Sequence, residues 1–252
     1  MSRLVLVHGS VVGGRATWAA QRALAERFEL LVIERPGFPP NPPVARVDFE
    51  ADAALVANLL HEGDHLVGHS YGGVIALLAA SRRPAALASL TVIEPPATTV
   101  AAGDPDVDAF AAGGRALYTS GATASPEAFL RDFLAAVGSR FEPPSPLPPD
   151  LEQSARALMV ERGPWEAEIP LAALAETRFP KLVVSGGHHP AFDAICDVLE
   201  RELRAERIVL PGYGHVVQLH PEFNDRLAHF HTGAAAAYGA RNDLHGPTHK
   251  PK

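Results

Sequence analysis

Ser70 is the residue of this chain best placed to do chemistry. It lies in Gly68-His69-Ser70-Tyr71-Gly72, directly after a short apolar run and directly before a helix-like one at residues 74–80. A serine at a tight strand-to-helix turn is held in a strained backbone conformation, with its hydroxyl pushed out at the sheet edge. Gly68 and Gly72 leave room for a close backbone approach that larger side chains would block. The helix that follows begins with unpaired N–H groups, and the amide of Tyr71 would face an oxyanion formed at Ser70. This arrangement serves nucleophilic attack on an acyl carbonyl, which also needs a general base and a group to orient that base. Among the 12 histidines, His215 in Gly212-Tyr213-Gly214-His215 stands after the last apolar run and before a helix from Pro221. His220, at the start of that helix, is the weaker candidate.

Six short apolar runs would position these groups: residues 4–7, 30–33, 66–67, 90–93, 182–184 and 208–210. Each ends in turn residues and none alternates with polar ones, as expected of strands buried on both faces of a parallel sheet. Segments of helical character lie between them, at 18–27, 49–60, 72–81, 191–204 and 221–230, with Asp48 able to cap the second. The expected fold is α/β, a six-stranded mostly parallel sheet with helices on both faces, in one domain over residues 1–231. Residues 97–179 break the rhythm, with helices over 127–137 and 151–161 on either side of Pro143-Pro144-Ser145-Pro146-Leu147-Pro148-Pro149. That run can be neither helix nor inner strand, and reads as a stiff polyproline-like connector. A helical insertion of this kind is expected over the C-terminal edge of the sheet, as a lid on the site. Phe110, Leu117, Phe129, Phe133, Leu158 and Trp165 would line an apolar substrate pocket or form the insertion's own core. Residues 232–252 read as a short helical extension and then a flexible tail, with His231, His245 and His249 solvated.

Composition narrows the partners. The 252 residues carry a net charge of −7, so no basic surplus exists to neutralise phosphates, and nucleic acid is not an expected partner. The first apolar run ends after four residues at His8-Gly9, too short for a signal peptide, and no stretch reaches the ~18 apolar residues of a membrane span. A soluble, cytoplasmic protein is expected. The single cysteine, Cys196, excludes an internal disulfide and reads as core. His188, His189 and Asp193 at a helix entrance are the nearest approach to a metal set, but their spacing is not that of a zinc site, and no metal or cofactor is expected. The 23 prolines and 21 glycines exceed the usual ~12% of a chain, and many of them fall beside the strand ends or in the connector.

With strand, Gly-x-Ser-x-Gly, helix and a late histidine in this order, the chain resembles the α/β-hydrolase superfamily from residue 3 to about 231. The resemblance makes His8-Gly9-Ser10 the oxyanion loop, with the amide of Ser10, or Val11 as the fallback, as second donor beside Tyr71. Glu34-Arg35-Pro36-Gly37-Phe38 is similar to the family's Asp-x-x-Gly turn, with Glu in place of Asp. The start at Arg3 implies that the family's first two strands are missing, as in compact members related to plant esterases and hydroxynitrile lyases. His215 takes the family's place for the base. The acid departs from the pattern, because His189 stands where Gly-x-x-Asp is expected after the next-to-last strand. Two carboxylates can substitute: Glu94, at the end of the strand after Ser70, and Asp193, in the first turn of the next helix. Glu94 is placed first, for its position at the C-terminal edge of a strand.

The implied activity is an esterase-like serine hydrolase that cleaves an ester or related acyl bond of a small, largely apolar substrate. Two alternatives stand beside it: a receptor-like or degenerate ligand-binding protein, and a carbon–carbon bond hydrolase or lyase on the same scaffold. Lyases of the family place a lysine near the base, and the loop around His215 has none.

Overall fold

The structure is a computed structural model describing residues 1–121 and 124–243. Six strands form one parallel sheet: β1 (Arg3–Val7), β2 (Glu29–Ile33), β3 (Asp64–His69), β4 (Leu87–Ile93), β5 (Lys181–Ser185) and β6 (Glu206–Val209). Their spatial order is β2-β1-β3-β4-β5-β6. The chain leaves β1 toward one edge and returns at β3 toward the other. A crevice therefore opens at the C-terminal ends of β1 and β3, where open α/β sheets bind ligands.

The helices are α1 (Gly14–Thr17), α2 (Phe49–Leu59), α3 (Tyr71–Arg82), α4 (Pro105–Ser120), α5 (Pro126–Ala136), α6 (Pro149–Met159), α7 (Leu171–Ala175), α8 (Pro190–Leu203) and α9 (Phe223–Asp243). Asp48 caps α2 by accepting from the Glu50 amide. One face of the sheet packs on α2, α3 and α8 through Val5, Leu66, Leu90, Val183, Ile75 and Ile195. The other face packs on α9 and the segment before β2, through Leu4, Leu6, Val67, Trp18, Phe223 and Leu227. Cys196 is fully buried on α8, and burial pushes its thiol up.

Two segments differ from the sequence expectation. Residues 18–27 do not form an α-helix; α1 is followed by a 3₁₀ helix over Ala20–Glu26. Trp18, Gln21 and Leu24 are all buried, and a repeat of three residues per turn brings such a set to one side. The second is α4, which the sequence reading leaves without an element. Asp104 caps it by accepting from the amides of Asp106 and Val107, and Pro105 starts it. Gly113-Gly114 in its middle disguises the helix. A Cβ on Gly114 would lie 2.6 Å from the Trp165 ring, so this glycine seats the indole.

Helix α9 runs through His231 to Asp243, and His231 is not solvated. It is fully buried, with Nδ1 2.8 Å from Ser89 Oγ, and the same hydroxyl lies 2.7 Å from His65 Nδ1. His245 and His249 lie outside the described residues. No helix among the described residues is long and apolar enough to cross a membrane.

The histidine pair has a thermodynamic consequence. Burial lowers His65 to about 4 and drives His231 well below its ordinary value, whereas the unfolded chain protonates both near pH ~6.5. The unfolded state then binds more protons in acid, so stability is complete above about pH 6.5 and is lost progressively toward pH 4. Thermal midpoints measured between pH 7 and 4.5 should fall, and the slope should flatten in His231→Gln. A slope unchanged by that substitution would place the acid sensitivity elsewhere.

Candidate active site

Strand β3 ends at His69 and α3 begins at Tyr71, leaving Ser70 alone in the turn with φ 55° and ψ −126°. That conformation is costly for a residue with a side chain and persists only where the surroundings enforce it. Close contacts here enforce it. A Cβ at Gly68 would lie 2.2 Å from the Gly72 carbonyl oxygen, and one at Gly72 would lie 2.4 Å from the carbonyl oxygens of Val7 and His8. Only glycine at both positions lets β1, β3 and α3 converge this tightly. The Ser70 amide donates to the Ile93 carbonyl at 2.8 Å, which ties the turn to the end of β4.

His215 and Glu94 converge on Ser70. His215 Nε2 lies 2.9 Å from Ser70 Oγ, and His215 Nδ1 lies 2.7 Å from Glu94 Oε2. The carboxylate needs a donor at Nδ1, so Nδ1 carries the proton and Nε2 accepts from the serine hydroxyl. Glu94 follows β4 with φ 43°, so serine and carboxylate both sit at strand ends in left-handed backbone. The other Glu94 oxygen accepts from the Gly186 amide at 2.6 Å and lies 3.2 Å from His188 Nδ1. Burial alone would raise this carboxyl, but His188, His215 and the Gly186 amide outweigh it and hold it at about 2. Phe192 of α8 stacks on the His215 ring, with centroids 4.5 Å apart and planes 25° from parallel.

The remaining expected residues take other places. Asp193 accepts from Ser185 Oγ at 2.7 Å and lies 3.7 Å from Arg207, turned away from His215. His189, where the family pattern calls for an acid, caps α8 by accepting from the Ala191 amide. The set His188, His189 and Asp193 therefore does not gather. The grouping found among the described residues is Glu94, His188 and His215, with donor atoms within 4.8 Å of one another, and there the His215–Glu94 hydrogen bond already occupies two donors. His220 accepts from the Glu222 amide near the start of α9. His69 is pinned by its Nε2 to the His215 carbonyl at 2.8 Å, and burial, with His215 nearby, lowers it to about 3.

The loop after β1 covers the serine. A Cβ on Gly9 would lie 2.9 Å from Ser70 Cβ. Among the described residues, no carbonyl or side chain accepts from the amides of Ser10 or Tyr71. The loop is braced from behind by Arg35, which is fully buried. Its guanidinium donates to the Gly9 carbonyl at 2.7 Å, to Asp52 at 2.9 Å and to Glu161 at 2.8 Å. His8 Nε2 accepts from the Arg35 amide, so Nδ1 donates to the Gly9 carbonyl at 2.8 Å. Glu34, the family-motif position, instead holds the amides of Gly14 and Arg15 at the start of α1.

Two cavities meet at Ser70. The inner one holds about 50 Å³ and is lined by Ser10, Ser70, Tyr71, Phe110, Phe133 and Trp165 among others. The outer one holds about 420 Å³ and is lined by Val11, Val12, His69, Ser70, Phe133, Phe141, His215 and Leu219 among others. Leu117 also faces the inner cavity. Phe129 does not line either cavity. It is packed with Leu130, Leu134 and Leu158 in the insertion's own core, 5.2 Å from the Tyr118 ring centroid. Phe192 and Glu161 carry no expectation from the sequence, while His188 enters there only as a metal candidate and Arg35 only as part of the Glu34–Phe38 motif. The position of His188, on the loop after β5, was the available signal.

Comparisons with known proteins agree with this architecture. Residues 4–225 match the model described as Alpha/beta hydrolase family. A segment of 92 residues, 36% of this chain, is 35% identical to the pimeloyl-[acyl-carrier protein] methyl ester esterase of Aeromonas hydrophila, covering 36% of that protein. A similar enzyme of Methylococcus capsulatus is 34% identical over 87 residues, 34% of this chain and 32% of that protein. The matched segment thus spans about a third of the length of these curated esterases. Among solved structures, a thermophilic esterase from Thermogutta terrifontis superposes with a TM-score of 0.66 at 20% identity, covering 94% of this chain and 90% of that one. MenH from S. aureus gives 0.67 at 18% identity, covering 92% and 94%. At these identities the structural likeness concerns the fold.

Proposed function

The chain belongs to the alpha/beta hydrolase family and has esterase relatives, and from that premise we propose that it is a serine esterase acting through Ser70, His215 and Glu94. The observation that carries this reading is the continuous hydrogen-bond relay from Ser70 Oγ through His215 to Glu94 at 2.9 and 2.7 Å. In the first step Ser70 Oγ attacks the ester carbonyl carbon while its proton passes to His215 Nε2. The carbonyl π electrons move onto oxygen, and the amides of Ser10 and Tyr71 stabilise that oxyanion. Collapse of the tetrahedral intermediate breaks the bond to the leaving alcohol, which takes the proton from His215 Nε2. Water, deprotonated by the same nitrogen, then attacks the acyl-serine, and the second tetrahedral intermediate collapses by breaking the bond to Ser70 Oγ, which takes the proton back from His215 Nε2 as the acid leaves. Glu94 stays ionised throughout, holds the Nδ1–H tautomer and balances the imidazolium.

The cavities divide the substrate. His215 lines the outer cavity and not the inner one, and the leaving group is the part that receives its proton. The alcohol portion therefore belongs in the outer cavity and the acyl portion in the inner one. The insertion over 97–179 supplies Phe110, Phe133 and Trp165 to the inner wall, which supports its reading as a lid that sets substrate choice. The apolar walls favour a small, largely apolar ester.

A fluorophosphonate probe tests the reading directly. Ser70 should be the labelled residue, with labelling abolished in Ser70→Ala; a folded protein that resists the probe would leave a ligand-binding role. Gly9→Ala is a finer check. The added methyl would lie 2.9 Å from Ser70 Cβ, and a displacement near 1 Å costs roughly 10²-fold in rate. We expect kcat/KM on a 4-nitrophenyl ester to fall by about that factor.

A further inference from the structure

His188 takes no part in the proposed relay, yet it stands between that relay and the insertion. It lies on the turn Gly186-Gly187-His188-His189 between β5 and α8. Its Nδ1 is closed off from solvent and lies 3.2 Å from Glu94 Oε1, the carboxylate oxygen that His215 does not use. Its Nε2 lies 3.2 Å from the carbonyl oxygen of Val137, the residue that ends α5. Val137 lines both the inner and the outer cavity. One ring therefore meets the orienting acid on one side and the wall of the substrate cavities on the other.

Both neighbours are acceptors only, and this fixes the charge of the ring. A neutral imidazole has one N–H and one lone pair. With the proton on Nε2, the lone pair of Nδ1 would face an ionised carboxylate. With the proton on Nδ1, the lone pair of Nε2 would face the Val137 carbonyl. The Glu94 contact is an ion pair rather than an aligned hydrogen bond, so it depends on charge. Only the imidazolium offers positive charge to the one neighbour and an N–H to the other.

The surroundings agree. The titratable groups that face the ring are Glu94 after β4, His215 on the loop after β6, His189 on its own turn and Asp193 on α8. Helix α5 meets it with a backbone carbonyl at its C-terminal end, the end of a helix that favours cations. Phe192 lies nearly parallel to both His188 and His215, with planes 23° and 25° apart. Burial alone would lower His188, but Glu94 and the Val137 carbonyl outweigh it and raise it above its ordinary value.

We propose that His188 is a positioning residue for the proposed reaction: as an imidazolium it pairs with Glu94 through Nδ1, donates to the Val137 carbonyl through Nε2, and so anchors the orienting carboxylate to the wall of the substrate cavities. This rests on the reading above, in which Glu94 orients His215. It has an electrical corollary. The centroids of the two imidazole rings are 6.0 Å apart, so positive charge on His188 opposes positive charge on His215. Removing the charge on His188 should let His215 take up its proton at higher pH.

Histidine ring NMR on ¹⁵N-labelled protein tests it. At pH 7 His188, assigned by the resonances that His188→Gln removes, should carry a proton on both nitrogens. In His188→Gln the His215 ring should protonate about one pH unit higher than in the unmodified protein. The acid limb of kcat/KM on a 4-nitrophenyl ester should move up with it. A merely structural role would lower the rate at every pH and leave the limb where it was. A neutral His188 at pH 7 overturns the proposal, as does a His215 midpoint that stays or falls in the variant. If His188→Gln does not fold, His188→Asn carries the same measurement; if neither folds, the protonation state in the unmodified protein decides alone. If no ester turns over and the fluorophosphonate leaves Ser70 unlabelled, the hydrolase reading fails separately, and the NMR midpoints still decide the pairing of His188 with Glu94.

Discussion

Ser70→Ala is expected to lower kcat/KM on a short-chain nitrophenyl ester by about 10⁴-fold or more, with little change in thermal midpoint. The loss is large because alanine leaves no atom for the carbonyl carbon to bond, and the acyl-enzyme route closes. A residue of rate above water should persist, since the amides of Ser10 and Tyr71 and the pocket remain. Stability should change little or rise. Residue 70 adopts φ 55°, which costs alanine about as much as serine, and the hydroxyl gives up one hydrogen bond, to His215. Equal rates for the two proteins, after correction for contaminating esterases, would remove Ser70 from the mechanism.

The second large effect concerns the acid. Glu94→Gln should reduce kcat by about 10³- to 10⁴-fold, while Asp193→Asn should leave it within about twofold. The neutral amide no longer balances the imidazolium and can present a donor to His215 Nδ1, which selects the wrong tautomer. Glu94 titrates near 2, so the acid limb of the pH–rate profile should not come from this carboxyl under ordinary assay conditions. The Asp193 carboxylate, bonded to Ser185 and near Arg207, reaches none of the reacting atoms. A larger loss in Asp193→Asn than in Glu94→Gln would reverse the assignment. Measuring kcat and KM separately matters, because an orienting group should act on kcat.

The layered fold was legible because buried parallel strands leave continuous apolar runs, and each of the six runs found its strand. The elbow was legible because steric crowding admits little but glycine at positions 68 and 72. The carboxylate was harder, since nothing local distinguishes Glu94 from any acid at a strand end. What distinguishes it is a contact with His215, 121 residues away. Helix α4 escaped because its two glycines argue against a helix, and the reason for Gly114 is an indole 51 residues later. His231 was misread for a related cause. A lone histidine after a helical run looks solvated until Ser89 and His65 are seen to meet it. The pairing of Arg35 with Asp52 and Glu161 was not legible, because salt bridges between distant segments have no spacing rule.

The fastening of the insertion has a mechanical consequence. The segment just after α6 is clamped at several points: Val47 exchanges backbone hydrogen bonds with Val160 and Arg162, Tyr71 Oη donates to the Arg162 carbonyl, and Arg35 grips Glu161. Swinging this segment outward would strand a buried guanidinium, at about 3–5 kcal/mol for the ion pair alone. The insertion thus cannot hinge there like a trapdoor. Phe141 and Leu219 stand half-exposed on the lining of the outer cavity, which reaches Ser70. A substrate that reaches Ser70 through this opening would leave the insertion's clamp intact through turnover.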